Sequence, residues 1–114
     1  MRILIVEDEF FPAVLLEEDL RAAGWTTVGP YATLVQAMSA AETEKFDLAV
    51  LDINLKGEMV YPLADELATR GIPFIFLSGY TGRDLPERFR GLPKLSKPYN
   101  ANLLRNEIER VAAA

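Results

Sequence analysis

Five polar side chains follow four apolar runs of the sequence, each at or just after the residue where its run ends. They are Glu7, Asp8, Asp52, Ser78 and Lys97. If the apolar runs are parallel strands, their carboxyl ends meet at one edge of a sheet, and the five side chains converge there. Three carboxylates in one crevice raise one another's pKa unless a cation neutralises them. The pattern therefore predicts a metal site.

The chain contains no cysteine and no histidine, so only oxygen ligands are available for that metal. Such ligands favour Mg²⁺ or a similar hard ion over zinc. Lys97 supplies a point positive charge suited to a phosphate, and Ser78 supplies a hydroxyl donor. An aspartate at the end of a strand is by itself most simply a solvent-exposed charge. Because Asp52 is expected to lie beside a metal, a lysine and a hydroxyl, we predict that its carboxylate forms an aspartyl phosphate.

Composition narrows the classes of function further. Seventeen acidic and 12 basic residues give a net charge of −5, which argues against binding to nucleic acid. No apolar run approaches the roughly 20 residues needed to span a bilayer, and the N-terminus lacks the pattern of a signal peptide. We expect a cytoplasmic protein that binds no membrane. A length of 114 residues predicts one domain.

Strand and helix patterns alternate along the chain and predict a parallel sheet covered on both faces. The predicted strands are 2–6, 26–29, 47–51, 72–78 and 93–96. The predicted helices are 10–23, 33–44, 59–70 and 100–113, with one or two helical turns within 84–90. Helical spacing predicts that the inward faces include Phe11, Leu15, Leu16, Leu20, Leu34, Ala37, Met38, Ala41, Leu63, Leu67, Ala68, Leu103, Leu104, Ile108 and Val111.

These residues carry a resemblance that extends from end to end of the chain. An acidic pair after strand one, an aspartate after strand three, a hydroxyl after strand four and Lys97-Pro98 after strand five are similar to the receiver domain of bacterial two-component response regulators. The resemblance implies an α/β fold with a doubly wound five-stranded parallel sheet, strand order 2-1-3-4-5, in a flavodoxin-like three-layer sandwich. It also implies a single receiver domain over 1–114 with no output domain.

The same resemblance implies a role for each site residue. Asp52 would accept a phosphoryl group from a sensor histidine kinase. Mg²⁺ would be held by Asp52, by Asp8 directly, by Glu7 through water, and by the backbone carbonyl of Asn54. Ser78 and Lys97 would bind the phosphate oxygens. The protein would be a signalling switch with self-directed chemistry rather than an enzyme with a turnover substrate.

The stretch PFIFLSGY (73–80) resembles a subfamily of stand-alone receivers whose fourth strand carries a Phe-Ala-Thr-Gly-Tyr-like motif. That subfamily tends to work with kinases of the histidine-tryptophan-glutamate type. Lys94 stands where most receivers carry an aromatic switch residue. Tyr80 is therefore a candidate switch residue, with packing beside Gly79 as the alternative. We expect activation to run through residues 79–92.

Three other functions compete with the phosphorylated switch. A haloacid dehalogenase-type phosphatase requires a second aspartate two residues after the nucleophile, where this chain has Asn54. A flavin- or nucleotide-binding module requires a glycine-rich loop after the first strand, where EDEFF stands. A degenerate receiver would bind partners without phosphorylation. For the leading hypothesis we expect a downstream protein target or phosphotransfer protein, and a monomer or weak homodimer.

Overall fold

A computed structural model describes residues 1–79 and 85–114 of the chain. A single turn of 3-10 helix spans Glu87–Phe89. The strands are β1 (Arg2–Val6), β2 (Thr26–Tyr31), β3 (Leu48–Asp52), β4 (Asn54–Leu55), β5 (Glu58–Met59), β6 (Phe74–Ser78) and β7 (Lys94–Ser96). The helices are α1 (Phe10–Ala22), α2 (Leu34–Thr43), α3 (Tyr61–Thr69) and α4 (Ala101–Ala113).

Five of the strands form one parallel sheet in the order β2-β1-β3-β6-β7, and β4 pairs with β5 in a separate hairpin. Counting only the strands of the main sheet, this order is the predicted 2-1-3-4-5. The flavodoxin-like α/β fold is therefore confirmed. The order changes direction at β1, which lies between β2 and β3. In a sheet of this kind, the crevice outside the carboxyl ends of the strands is where ligands bind.

The core is divided into two layers by the sheet, because successive side chains of a strand point to opposite faces. Leu4 and Val6 belong to the cluster beneath α2 and α3, whereas Ile3 and Ile5 belong to the cluster beneath α1 and α4. Every residue of β3 and β6 is buried. Burial of both faces explains why these strands are continuous apolar runs rather than alternating ones.

Several helix faces differ from the prediction. Phe11, Leu15, Leu103 and Ala68 are exposed, although the spacing predicted them to face inward. A helix on a sheet buries a single stripe, and in α1 that stripe consists of Ala13, Leu16 and Leu20. Neighbouring positions lie about 100° away around the helix, so Leu15 falls outside the stripe. In α3, Ala64 takes the inward position that was predicted for Ala68.

The hairpin of β4 and β5 was not predicted, and a helix starting at residue 59 is wrong. Residues 58–59 form β5, and α3 begins at Tyr61 with a proline in its first turn. Lys56 (φ 54°) and Gly57 (φ 92°) both have left-handed backbone conformations. Two successive residues with positive φ form the tight turn that joins two antiparallel strands.

Two further predictions can be compared only in part. Tyr80 lies outside the described residues, as do residues 81–84 of the predicted activation segment. Within the described ranges 1–79 and 85–114, no helix is both long and apolar enough to cross a bilayer.

Candidate functional site

Three carboxylates meet at the carboxyl edge of the sheet. Glu7 and Asp8 follow β1, and Asp52 ends the neighbouring strand β3. One carboxylate oxygen from each residue lies within 4.8 Å of the others. Glu7 and Asp52 are buried, whereas Asp8 is half-buried. The parallel register brings Asp52 to this edge beside the end of β1, and so explains the close approach.

Lys97 is the cation that faces this acidic cluster. Its ammonium Nζ lies 3.2 Å from Oε2 of Glu7 and 3.5 Å from Oδ1 of Asp52. Desolvation opposes protonation of the lysine, but the nearby carboxylates of Asp52 and Glu7 outweigh it and raise the pKa of Lys97. Lys97 is therefore a charged counter-ion within the crevice, and its side chain remains partly accessible to solvent.

The pKa of Asp52 is raised to about 7. Burial is the largest cause because it disfavours the charged carboxylate, and the second is repulsion by Glu7. Asp8 adds to the increase, whereas Lys97 acts in the opposite direction. Within residues 1–79 and 85–114, Lys97 is the cation that forms ion pairs with these carboxylates. A cation bound beside Asp52 would lower the pKa of this carboxyl.

This raised pKa predicts a pH dependence of stability for the metal-free protein. The ordinary pKa of aspartate is 3.8, so folded Asp52 holds its proton more tightly than the unfolded chain does. The resulting stabilisation is complete below the ordinary pKa and is lost as the pH rises through the folded value. We expect the free energy of unfolding to fall by about 1–2 kcal/mol between about pH 5.5 and about pH 8. Urea denaturation in EDTA measures it.

The controls separate Asp52 from other titrating groups. Asp52→Asn should show little of this trend, and the chain has no histidine that would titrate in the same range. Saturating Mg²⁺ should also flatten the wild-type curve, because a cation stabilises the ionised carboxylate. Asp8→Asn should weaken that effect of Mg²⁺. A wild-type slope in Asp52→Asn would assign the titration to another group.

Ser78 and Asn54 lie on neighbouring parts of the same edge. Ser78 is buried at the end of β6 and pairs with Ser96 of β7. The backbone amide of Lys97 donates to the carbonyl oxygen of Ser78 at 2.7 Å, which joins the two predicted phosphate-binding residues. Asn54 follows Asp52 by two residues and begins β4. Its side chain is exposed and accepts a hydrogen bond from the amide of Gly57 at 2.6 Å.

The donor set fits a hard divalent cation. All three acidic groups offer oxygen, and Mg²⁺ characteristically uses one or two carboxylates while keeping several waters. Burial and repulsion by Glu7 raise the pKa of Asp52, and a bound cation would oppose both effects by stabilising the ionised carboxylate. Glu7, Asp8 and Asp52 are therefore the residues that could hold such an ion.

An exposed apolar patch beside the site was missed by the sequence analysis. We call Phe10, Phe11 and Leu15 the α1 patch; their exposed fractions are 74%, 75% and 60%. Leu15 also lines a groove of about 290 Å³ with Tyr99 and Lys97. Burial, then Glu7, Asp19 and Asp52, raise the pKa of Tyr99 to about 12, so its hydroxyl stays protonated. In the sequence, this patch was indicated by the two phenylalanines that directly follow the acidic residues 7–9.

The five-stranded parallel sheet and its acidic carboxyl edge define a flavodoxin-like α/β domain of the receiver class. No protein family model matches the chain. The solution structure of SdrG from Sphingomonas melonis Fr1 is 36% identical, with a TM-score of 0.88, over 100% of this chain and 97% of that one. The BeF3-activated conformation of SdrG is 37% identical, with a TM-score of 0.83, over 97% and 95%.

A curated protein and a further solved structure are also similar to this chain. Transcriptional regulatory protein PdtaR of Mycobacterium tuberculosis is 34% identical over 112 residues, which cover 95% of this chain and 55% of PdtaR. This chain thus spans about half the length of that curated relative. The receiver domain of the sensor histidine kinase PA1611 from Pseudomonas aeruginosa PAO1 has magnesium coordinated in its active site cleft. It is 25% identical, with a TM-score of 0.85, over 99% of this chain and 98% of that one.

The chain belongs to the response regulator receiver family. Proteins of this family are in general signalling switches rather than enzymes.

Proposed function

We propose that this receiver is switched by transfer of a phosphoryl group from a sensor histidine kinase to Asp52, with Mg²⁺ as cofactor. The observation that carries the proposal is the position of the Asp52 carboxylate, buried between Glu7, Asp8 and Lys97 at the carboxyl edge of the sheet. Incubation with acetyl phosphate and Mg²⁺ tests it. Wild-type protein should gain the mass of one phosphoryl group, and a degenerate receiver should gain none.

The transfer requires a nucleophile and a balanced charge. An oxygen of Asp52 attacks phosphorus, the phosphorus–nitrogen bond of the phosphohistidine breaks, and the leaving imidazole takes up a proton. Asp8, Asp52, Glu7 and the backbone carbonyl of Asn54 would hold Mg²⁺, with Glu7 acting through water. The ion, when bound, neutralises negative charge on the phosphoryl oxygens.

Lys97 and Ser78 would receive the new phosphate. Lys97 lies 3.5 Å from Asp52 before phosphorylation, so its ammonium needs only a small movement to reach an oxygen on the acyl phosphate. Transfer of Lys97 from Glu7 to the phosphate would be coupled to Ser78, because the Lys97 amide is bonded to the Ser78 carbonyl. Both residues are donors, and the acyl phosphate adds charged oxygen acceptors on the side chain of Asp52 that such donors can bind.

The side chain of Lys94 is bonded to the backbone of the segment 85–92. Its ammonium donates to the carbonyl oxygens of Arg90 at 2.8 Å and Leu92 at 2.9 Å. An aromatic rotamer flip at this position is impossible in this chain. The segment 85–92 instead contacts the core through its own Phe89. The centroid of the Phe89 ring lies 5.4 Å from the centroid of the Phe76 ring. We therefore assign the output movement to the backbone of this segment.

A phosphate mimic should change the exchange of this segment more than that of the helices. With beryllofluoride and Mg²⁺, we expect amide hydrogen exchange within 85–92 to change by about tenfold, because a bias of about 1.4 kcal/mol suffices to shift such a population. Mass spectrometry of peptides measures it, with Asp52→Asn as the control that should not respond. A response confined to α1 or α4 would refute this route.

The α1 patch would dock the phosphodonor. It begins two residues after Asp8, and exposed apolar side chains in a contiguous group mark an interaction surface. The groove between Leu15 and Tyr99 adjoins Lys97, so a helix seated there would lie close to Asp52. Output would follow through contact with a downstream protein, since a net charge of −5 opposes binding to DNA.

A further inference from the structure

The β4–β5 hairpin begins two residues after Asp52 and is closed by a tight turn. Residues 56–57 form its turn with two successive positive φ angles. The Oδ1 atom of Asn54 accepts the amide of Gly57 at 2.6 Å and closes the turn from inside. The hairpin is therefore held both by its backbone ladder and by a side-chain bond.

The register of this hairpin fixes the direction of one backbone carbonyl. Leu55 pairs with Glu58 beside the turn, and the amide of Val60 donates to the carbonyl of Ile53 at 2.9 Å. Hydrogen-bonded and non-hydrogen-bonded pairs alternate in antiparallel strands. Asn54, which pairs with Met59, occupies the non-hydrogen-bonded position between them. Its backbone carbonyl is consequently turned away from β5.

The hairpin is also anchored in the core at both ends of its ladder. Leu55 and Val60 are buried in the cluster beneath α2 and α3. Ile53 packs against the same cluster, and its amide donates to the Leu77 carbonyl of β6 at 3.3 Å. Rotation of the Asn54 carbonyl would thus disturb both a packed core and a closed turn.

We propose that this hairpin positions the carbonyl ligand of the cation, and that the Asn54 side chain and Gly57 are positioning residues. The inference rests on the proposed function, which assigns the Asn54 carbonyl to the Mg²⁺ site. Mg²⁺ demands nearly ideal octahedral geometry, so a ligand held in one direction binds it better than one that samples several. The side chain of Asn54 thus acts on the cation through Gly57, without contacting it.

Two glycine variants provide a matched test. Gly57 has φ 92° and Gly24 has φ 91°, and a Cβ built at either position meets no atom within 4 Å. Alanine should therefore introduce a similar backbone strain at both positions without a steric clash. Gly24 lies two residues before Thr26, which pairs with Arg2 at the start of β1, whereas the acidic cluster lies beyond the other end of that strand. Any difference between Gly57→Ala and Gly24→Ala in metal binding reports on the hairpin.

The dissociation constant for Mg²⁺ alone is measured by titration of amide chemical shifts, and folding by urea denaturation. Gly57→Ala should weaken Mg²⁺ binding by roughly tenfold, the size typical of lost support around a metal ligand. Asn54→Ala should do the same, since it keeps the carbonyl and removes the acceptor for Gly57. Gly24→Ala should bind like the wild type, although its urea midpoint should fall as far as that of Gly57→Ala.

The outcomes distinguish this inference from the proposed function. Wild-type binding that is retained in both Gly57→Ala and Asn54→Ala would overturn the role of the hairpin and leave the proposed metal site intact. Absence of Mg²⁺ binding to the wild type would overturn the proposed site and the inference together. Equal weakening in Gly57→Ala and Gly24→Ala would show a general effect of strain and would also overturn the inference.

Discussion

Asp52→Asn should abolish phosphorylation of the protein by acetyl phosphate in the presence of Mg²⁺. Asparagine has nearly the same shape as aspartate, but its amide has no carboxylate oxygen to attack phosphorus. The remaining groups of the site, including Lys97, would still be present to bind the phosphodonor. We expect the loss to be complete within the detection limit of intact-protein mass spectrometry, with no hydroxylamine-sensitive phosphate remaining.

Asp47→Asn is the matched control for this variant. Asp47 lies immediately before β3, so it is at the opposite end of the strand that Asp52 terminates. Its carboxylate accepts the backbone amide of Arg2 at 2.7 Å, and asparagine keeps that acceptor. Asp47→Asn should be phosphorylated like the wild type. Phosphorylation of Asp52→Asn at the wild-type level would show that another residue accepts the phosphoryl group. The proposed switch would then lose its basis.

The central strands β1, β3 and β6 could be predicted because almost all of their residues are buried on both faces of the sheet. Runs such as 48–51 and 74–77 have no polar residue, so neither their existence nor their approximate ends depended on tertiary contacts. Helix faces were less predictable. Phe11 and Leu15 repeat at helical spacing, but only contact with the sheet decides which of two adjacent apolar stripes is buried. Phe11 and Leu15 lie on the stripe that stays exposed, and they belong to the α1 patch.

The neighbourhood of the site residues follows from strand order, whereas their distances and charges do not. Asp52 lies beside Glu7 because β3 pairs with β1 in parallel, which a topology alone implies. The approach of Lys97 to Glu7 depends on the path of the chain after β7. The hairpin was hidden because its strands have two residues each, too few for an alternating pattern. Only the turn residues at 56–57 signalled it.

Removal of the α1 patch should separate the two routes of phosphorylation. Phe11→Ala combined with Leu15→Ala should lower the rate of transfer from a phosphorylated histidine kinase by about tenfold or more, because buried aromatic anchors contribute about 2 kcal/mol or more to protein–protein binding. Transfer from acetyl phosphate should stay within about twofold of the wild type, since that small donor needs no docking surface. Radiolabelled transfer assays measure both rates, with a kinase chosen by screening for transfer to the wild-type protein.

Val35→Ala is the control for the loss of exposed apolar surface. Val35 is 76% exposed on α2, and Phe11 is 75% exposed on α1, but only the latter belongs to the patch beside the acidic site. Neither change removes a core contact, so both proteins should keep the wild-type fold. If Val35→Ala impaired kinase transfer as much as the double variant, the donor would bind without using α1. A matching loss with acetyl phosphate would instead show that the double variant distorts Asp8 and the first turn of α1, and the patch would then have no separate role in docking.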